Sequence, residues 1–228
     1  MTIDPSAEAP QATLHYIFDP LCGWCYAASP LLRAFSSSPL GESVALRLHP
    51  GLLFEGPREL GLPFRQHILE ADQRIHQLTG VPFGAPYIAR VKNPAPIILD
   101  STLPSLSVLA AEALAPAAGL DMLEAIQQAH YEAGHDVCQP ERLQALAIAR
   151  GLPADAFDAM QGSQREALFG EVRIARAMLQ ASGGQGFPTF VLETGKRRVR
   201  LDHSQHYGQP QAFIDQINHV LSQPGEHA

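Results

Sequence analysis

A short apolar run, Leu14-His15-Tyr16-Ile17-Phe18, begins the patterned part of the chain and predicts a strand. Asp19-Pro20-Leu21 leads from it into a helical pattern whose larger apolar residues are Tyr26, Leu31, Leu32 and Phe35. Val44-Ala45-Leu46-Arg47-Leu48 predicts a second strand. From about residue 51 to 162 the chain reads as helical, with helices over 63–79, 104–115, 120–134, 140–150 and 154–160. Each is bounded by Gly or Pro, as helix ends commonly are. Residues 80–96 are dense in Pro and Gly and predict an irregular loop. A further helix over 163–181 sets Leu168, Val172, Ala175 and Leu179 on one face and stops at Gly183-Gly184. Thr189-Phe190-Val191-Leu192 reads as a strand, residues 193–196 as a turn and 199–201 as the return strand. An amphipathic helix carrying Phe213, Ile214, Ile217, Val220 and Leu221 closes the pattern.

The order is therefore βαβ, a long helical block, then αββα. Strands and helices alternate at both ends, which predicts one α/β domain interrupted by an insertion. The α/β domain is assigned to residues 12–55 and 163–222, the insertion to 56–162, and flexible tails to 1–11 and 223–228. No period of repeat length recurs, so the helical block is not a repeat array.

Charge narrows the partners. The 228 residues carry a formal net charge of −7 with 46% apolar residues, enough for a sizeable core. The one basic cluster, Lys196-Arg197-Arg198, falls at a predicted hairpin, so a nucleic-acid partner is not expected. No apolar stretch approaches the ~18 residues of a membrane span. Residues 1–11 lack a basic start and an apolar core, so they do not read as a secretory signal. The expected location is the cytoplasm. There stable structural disulfides are rare, and a Cys-x-x-Cys pair is better read as catalytic or metal-binding.

Such a pair lies at the join between the first strand and its helix: Cys22-Gly23-Trp24-Cys25. The N–H groups at a helix start are unpaired and carry partial positive charge, which favours a thiolate over a thiol. The thiolate is the attacking species in disulfide exchange. Two intervening residues let one helical turn bring the sulfurs within bonding reach. A structural zinc site would need a second pair of ligands at set spacing, and none follows. No metal is expected. Cys138, just ahead of a helix, could relay a disulfide, but a half-buried cysteine is more often a small apolar residue. Asp19 could take a proton from the resolving thiol, although Asp-Pro before a helix favours the simpler reading of a turn. Trp24, the single tryptophan, is expected to expose at least one face to a substrate. The ten histidines show no ligand spacing: His130 and His135 fall on different helix faces, His203 and His206 sit in a polar loop where solvated rings are common, and nothing requires His49 at the site.

Cys22-Gly23-Trp24-Cys25 at a helix start, together with Gly186-Phe187-Pro188-Thr189-Phe190 opening a late strand, resembles the thioredoxin superfamily. The helical block between the two halves resembles its DsbA-like branch. The stretch from Phe18 to Tyr26, with Asp100-Ser101, is similar to the FrnE-like cytoplasmic group of disulfide oxidoreductases. The likeness runs from about Leu14 to Leu221. It implies a thioredoxin-like α/β fold, a mixed sheet flanked by helices, with a large all-helical insertion. It also implies a thiol–disulfide oxidoreductase of reductase or isomerase type, with Cys22 as the nucleophile and Cys25 as the resolving cysteine. Pro188 corresponds to the cis-proline facing the cysteines, and Phe187 offers its backbone to a substrate strand, where a peptide can pair. Trp24, Phe187 and Pro188 are thus the expected substrate contacts. The middle pair is Gly-Trp rather than the Pro-His of periplasmic DsbA, so strongly oxidising behaviour is not carried over.

No bound cofactor is expected beyond the redox-active Cys22–Cys25 pair, with glutathione as a possible co-substrate. A disulfide-containing protein or a small thiol is the expected partner. Two other classes compete. Kappa-type glutathione transferases and hydroxychromene-carboxylate isomerases of the same branch bind glutathione at a serine where this chain has Cys22, and would tolerate loss of Cys25. A non-catalytic peptide-binding module would keep its ligand after loss of both cysteines.

Overall fold

The computed structural model describes residues 12–223. In chain order its elements are β1 (Ala12–Phe18), α1 (Gly23–Ser36), α2 (Pro39–Ser43), β2 (Val44–Pro50), β3 (Arg58–Glu59), α3 (Leu62–Thr79), α4 (Ala85–Lys92), β4 (Ile98–Leu99), α5 (Thr102–Leu114), α6 (Ala118–Tyr131), α7 (Pro140–Ala149), α8 (Ala154–Ser163), α9 (Arg165–Ala181), β5 (Thr189–Thr194), β6 (Arg197–Leu201) and α10 (Pro210–Ser222). The main sheet runs β2-β1-β5-β6. β1 pairs β2 in parallel, and β5 pairs both β1 and β6 antiparallel. This is a mixed sheet of thioredoxin type, with α3 to α8 entering the chain between β2 and α9.

Alternation along β1 gives the sheet two apolar faces. Leu14, Tyr16 and Phe18 point into a large core shared with α1, α10 and the helical block. Ile17 and Val191 point the other way, against Ala175 and Met178 of α9. The large core is continuous from Leu14 through Leu123 and Val137 to Phe157 and Phe213, so the helices between β2 and α9 share it with the sheet. Clusters of this size supply the main favourable term in folding.

Most predicted elements form within a few residues of their expected bounds. The clearest correction lies in 80–96, expected as a loop, where α4 runs Ala85–Lys92. Pro86 stands in its first turn, where the missing N–H costs nothing, so this proline starts a helix instead of breaking one. On α9, Met178 is buried and Leu179 half-buried, so the apolar stripe lies one residue off its expected end. The assigned tails lie outside the described residues except for Gln223, whose Oε1 accepts a hydrogen bond from Arg197 at 3.0 Å.

Candidate redox site

Cys22 is the N-cap of α1, with extended backbone at φ −98° and ψ 117°. Its carbonyl already accepts the first helical hydrogen bond, from the Tyr26 amide at 3.0 Å. Gly23 and Trp24 fill the first turn and Cys25 follows on the inner side. The two thiols are free and close enough to hydrogen-bond. Their surroundings differ. Cys22 is 8% exposed at the rim of the site, and its Sγ donates to the Phe187 carbonyl at 3.5 Å. Cys25 is 0% exposed. Burial, its contact with Cys22 and the charge of Asp19 hold its thiol well above the ordinary cysteine range.

Asp19 is both a turn residue and a part of the site. It is 0% exposed. Its Oδ1 accepts the Leu21 amide at 2.7 Å and its Oδ2 the Leu53 amide at 2.6 Å. Leu52, at φ +54°, turns the loop after β2 so that the Leu53 amide faces this carboxyl. Ser101 also hydrogen-bonds it, which places one member of the Asp100-Ser101 pair at the site. Burial nevertheless raises the carboxyl's pKa above its ordinary value, because hydrogen bonds offset only part of the desolvation.

The opposite wall is the loop before β5. The Phe187–Pro188 peptide is cis, and Pro188 is buried beside Cys22. Phe187 lies on Gly51: a Cβ there would come within 2.1 Å of the ring, so glycine is required for the loop to sit this close. Trp24 is half-buried against Tyr207, with ring centroids 5.6 Å apart, and the Tyr207 hydroxyl donates to its carbonyl at 3.3 Å. Trp24, Phe187, Pro188, Arg200, His203 and Tyr207 line a cavity of about 350 Å³ next to the cysteines. A larger cavity, about 490 Å³, lies on the other side of Gly23, lined by Asp72, Phe83 and Ile88 among others. The redox chemistry sits between the two. The five expected site residues, Cys22, Cys25, Trp24, Phe187 and Pro188, thus fall together.

Other candidates go elsewhere. Cys138 hydrogen-bonds the backbone of Asp100 through its sulfur, and burial pushes its pKa up to about 11. His49 turns to the α9 side of the sheet, where its Nε2 meets His15 Nδ1 at 2.9 Å and its Nδ1 meets Glu171 at 3.3 Å. His203 is not a solvated ring: burial lowers its pKa to about 4, and it packs on Phe190 and Tyr207. Among the described residues no group of three His, Cys, Asp or Glu side chains converges on a metal position. No helix in them is long and apolar enough to cross a membrane. Sequence reasoning missed Tyr16, whose buried hydroxyl donates to the Cys25 carbonyl at 3.3 Å, and Tyr207. It also missed Asp72. Tyr16 carries a strand-period signal, since it faces inward from β1, and Asp72 a helix-period one along α3; Tyr207 carries none.

The family model for a DSBA-like thioredoxin domain matches residues 13–208. Among solved structures, the cytosolic disulfide reductase DsbM from Pseudomonas aeruginosa superposes with a TM-score of 0.80 at 38% identity, covering 92% of this chain and 98% of that one. A structure of the same reductase with GSH matches at 39% identity and a TM-score of 0.80, covering 92% and 100%. A 2-hydroxychromene-2-carboxylate isomerase shares the fold at 16% identity and a TM-score of 0.53, over 92% of this chain and 100% of that one. No curated protein sequence matches the chain. With a free cysteine pair at the head of a helix in this fold, the chain is a thiol–disulfide oxidoreductase, and it belongs to the family of DSBA-like thioredoxin domains.

Proposed function

We propose that the protein is a cytoplasmic disulfide reductase in which Cys22 attacks, Cys25 resolves and glutathione is a co-substrate. The difference in burial between the two sulfurs carries the assignment: Cys22 meets the surface beside the Phe187 carbonyl, whereas Cys25 lies wholly inside. The Cys22 thiolate attacks one sulfur of a substrate disulfide, and the other sulfur leaves as a thiolate and takes up a proton. Cys25 then gives its proton to the buried Asp19 carboxylate and attacks the Cys22 sulfur. The second substrate thiol is released, and the Cys22–Cys25 disulfide remains. Two glutathione thiols, leaving as glutathione disulfide, return the pair to the dithiol. Trp24, Phe187 and Pro188 hold the substrate, with the Phe187 backbone beside the mixed disulfide. Residues 56–162 serve as an insertion that walls the site through α3 and α4.

Glutathione is favoured by the likeness to a reductase whose structure carries GSH. A transferase or isomerase of the related branch is not favoured, since the position that holds serine there is Cys22 here, with Cys25 behind it. Cys25→Ser tests the assignment. Incubated with glutathione disulfide, this variant should stop after one glutathione is bound at Cys22, a species visible by mass spectrometry. With 2-hydroxyethyl disulfide as substrate and glutathione kept reduced by glutathione reductase and NADPH, the wild type should turn over continuously, and Cys22→Ser should do neither. Turnover by Cys22→Ser, or wild-type rates from Cys25→Ser, would overturn the two-cysteine mechanism.

A further inference from the structure

Helix α3 carries a buried carboxyl over the turn that joins the two cysteines. Asp72 is 7% exposed. Its Oδ2 accepts the Tyr87 hydroxyl of α4 at 2.7 Å. Its Oδ1 reaches Gly23, where a Cβ would lie 2.9 Å from that oxygen and 3.0 Å from Ile75 Cδ1. The residue after Cys22 therefore has no side chain because an acidic group occupies its place. Gly23 opens α1, so this oxygen stands at the amino end of the helix, the same positive pole that supports a Cys22 thiolate.

Among the described residues, the groups facing Asp72 leave it without a close cation. From α4 it meets Tyr87, with Arg90 acting on that tyrosine from further along the helix. From α6 it meets Tyr131, which packs against His130; burial keeps the tyrosine protonated and the histidine neutral. From α1 it meets Gly23, next to Cys22. On its own helix Glu70 and His76 line the adjoining cavity, as Lys92 of α4 does. Burial raises the pKa of the carboxyl to about 6, so at neutral pH it is mainly ionised despite its position.

We propose that Asp72 is a positioning residue of the exchange reaction: its carboxylate competes with the Cys22 thiolate for the amino end of α1 and so keeps the Cys22–Cys25 pair reducing. The inference rests on the reading of Cys22 as the attacking cysteine. The balance is simple. The protein dithiol and one glutathione disulfide give the protein disulfide and two glutathione thiols. A stabilised thiolate favours the dithiol side and makes a pair more oxidising. Asp72 acts in the opposite sense.

The test is the equilibrium of wild type, Asp72→Asn and the exposed control Glu70→Gln in glutathione redox buffers at pH 7.5, with the Cys22 thiolate titrated by its ultraviolet absorbance. Asp72→Asn should ionise Cys22 at lower pH than wild type and shift the equilibrium roughly tenfold toward the dithiol, ~30 mV for two electrons. Glu70→Gln should match wild type. An unchanged equilibrium and thiolate titration in Asp72→Asn would overturn the proposal, as would an equal shift in Glu70→Gln. Should Asp72→Asn fail to fold, Tyr87→Phe takes its place: without its donor the carboxyl holds its proton to higher pH, so near pH 6 the shift should run the same way, and no shift would overturn the proposal. Absence of any redox transition in the wild type would instead refute the oxidoreductase role of the pair.

Discussion

Replacing His130 with Phe should remove one identifiable part of the protein's lability to acid. The ring is 4% exposed, stands edge-on to Tyr131 and Tyr87 with centroids 4.6 and 5.3 Å away, and its Nδ1 has no hydrogen-bond partner among the described residues. Burial, helped by the charge of Arg90, lowers its pKa to about 3. In the unfolded chain the same ring binds a proton near pH ~6.5. Below that pH the unfolded state takes up a proton the folded state refuses, so stability falls as pH falls, until the folded ring itself titrates. The linked loss is RT ln(1 + 10^(6.5 − pH)), about 0.2 kcal/mol at pH 7 and about 2 kcal/mol at pH 5. His15 and His203, each lowered to about 4 chiefly by burial, add losses of the same sign in the wild type. Phenylalanine keeps a ring in the cluster and has nothing to protonate. Between pH 7 and 5, His130→Phe should therefore lose about 2 kcal/mol less stability than wild type. Urea unfolding at a series of pH values, followed by Trp24 fluorescence, gives both curves. The offset at pH 7 reports packing, and the difference in slope reports the proton. Parallel curves would mean that folded His130 protonates as readily as the unfolded chain, and the reasoning from burial would be wrong.

Two further substitutions separate contact from chemistry. Gly51→Ala forces a Cβ into the Phe187 ring. The Phe187–Pro188 loop must then move, and kcat/KM should fall by about 10- to 100-fold, since displacements of ~1 Å at a reacting site cost that much. Full activity would show that the loop's position does not matter. Cys138→Ser should leave turnover and regeneration unchanged while costing about 1 kcal/mol in a denaturant melt, because its sulfur packs against the Asp100 backbone. A large loss of regeneration would restore it as a relay thiol.

The two ends of the chain were legible because short apolar runs there give way to apolar residues at helical spacing and back. Gly and Pro mark the joins at Pro20, Gly183-Gly184 and Gly195. The cysteine pair could be read for the same reason: a strand pattern, then two cysteines, then a helix pattern fixes their place at a helix start. The segment around α4 was not legible, because its glycine and prolines meet needs outside the local chain. Gly84 is glycine because a Cβ there would strike the Glu132 carbonyl at 2.0 Å, at the cap of α6 nearly fifty residues away. Nothing near residue 84 announces that neighbour.

The buried polar groups at the site were hidden for a related reason, and α3 shows what signal existed. Its sequence, Leu62 to Thr79, looks like a solvated helix, with Glu70, Asp72, Gln73 and Arg74 in close succession. Yet Arg65, Ile68, Asp72, Ile75 and Thr79 recur at spacings of three and four, and all five are buried or half-buried. Three of these inward positions are polar. Arg65 donates to the Leu60 carbonyl at 2.7 Å and the Asn93 carbonyl at 2.5 Å, tying the segment before α3 to the end of α4. Thr79 donates to the Ile75 carbonyl at 2.8 Å within the helix. Asp72 differs, because one of its oxygens has a donor and the other faces Gly23. A helix that places a carboxyl on its buried stripe accepts a desolvation cost that a Leu or Ala would avoid. That cost is borne where the carboxyl meets the Cys22-Gly23-Trp24-Cys25 turn, which ties the inserted helices to the chemistry as well as to the core.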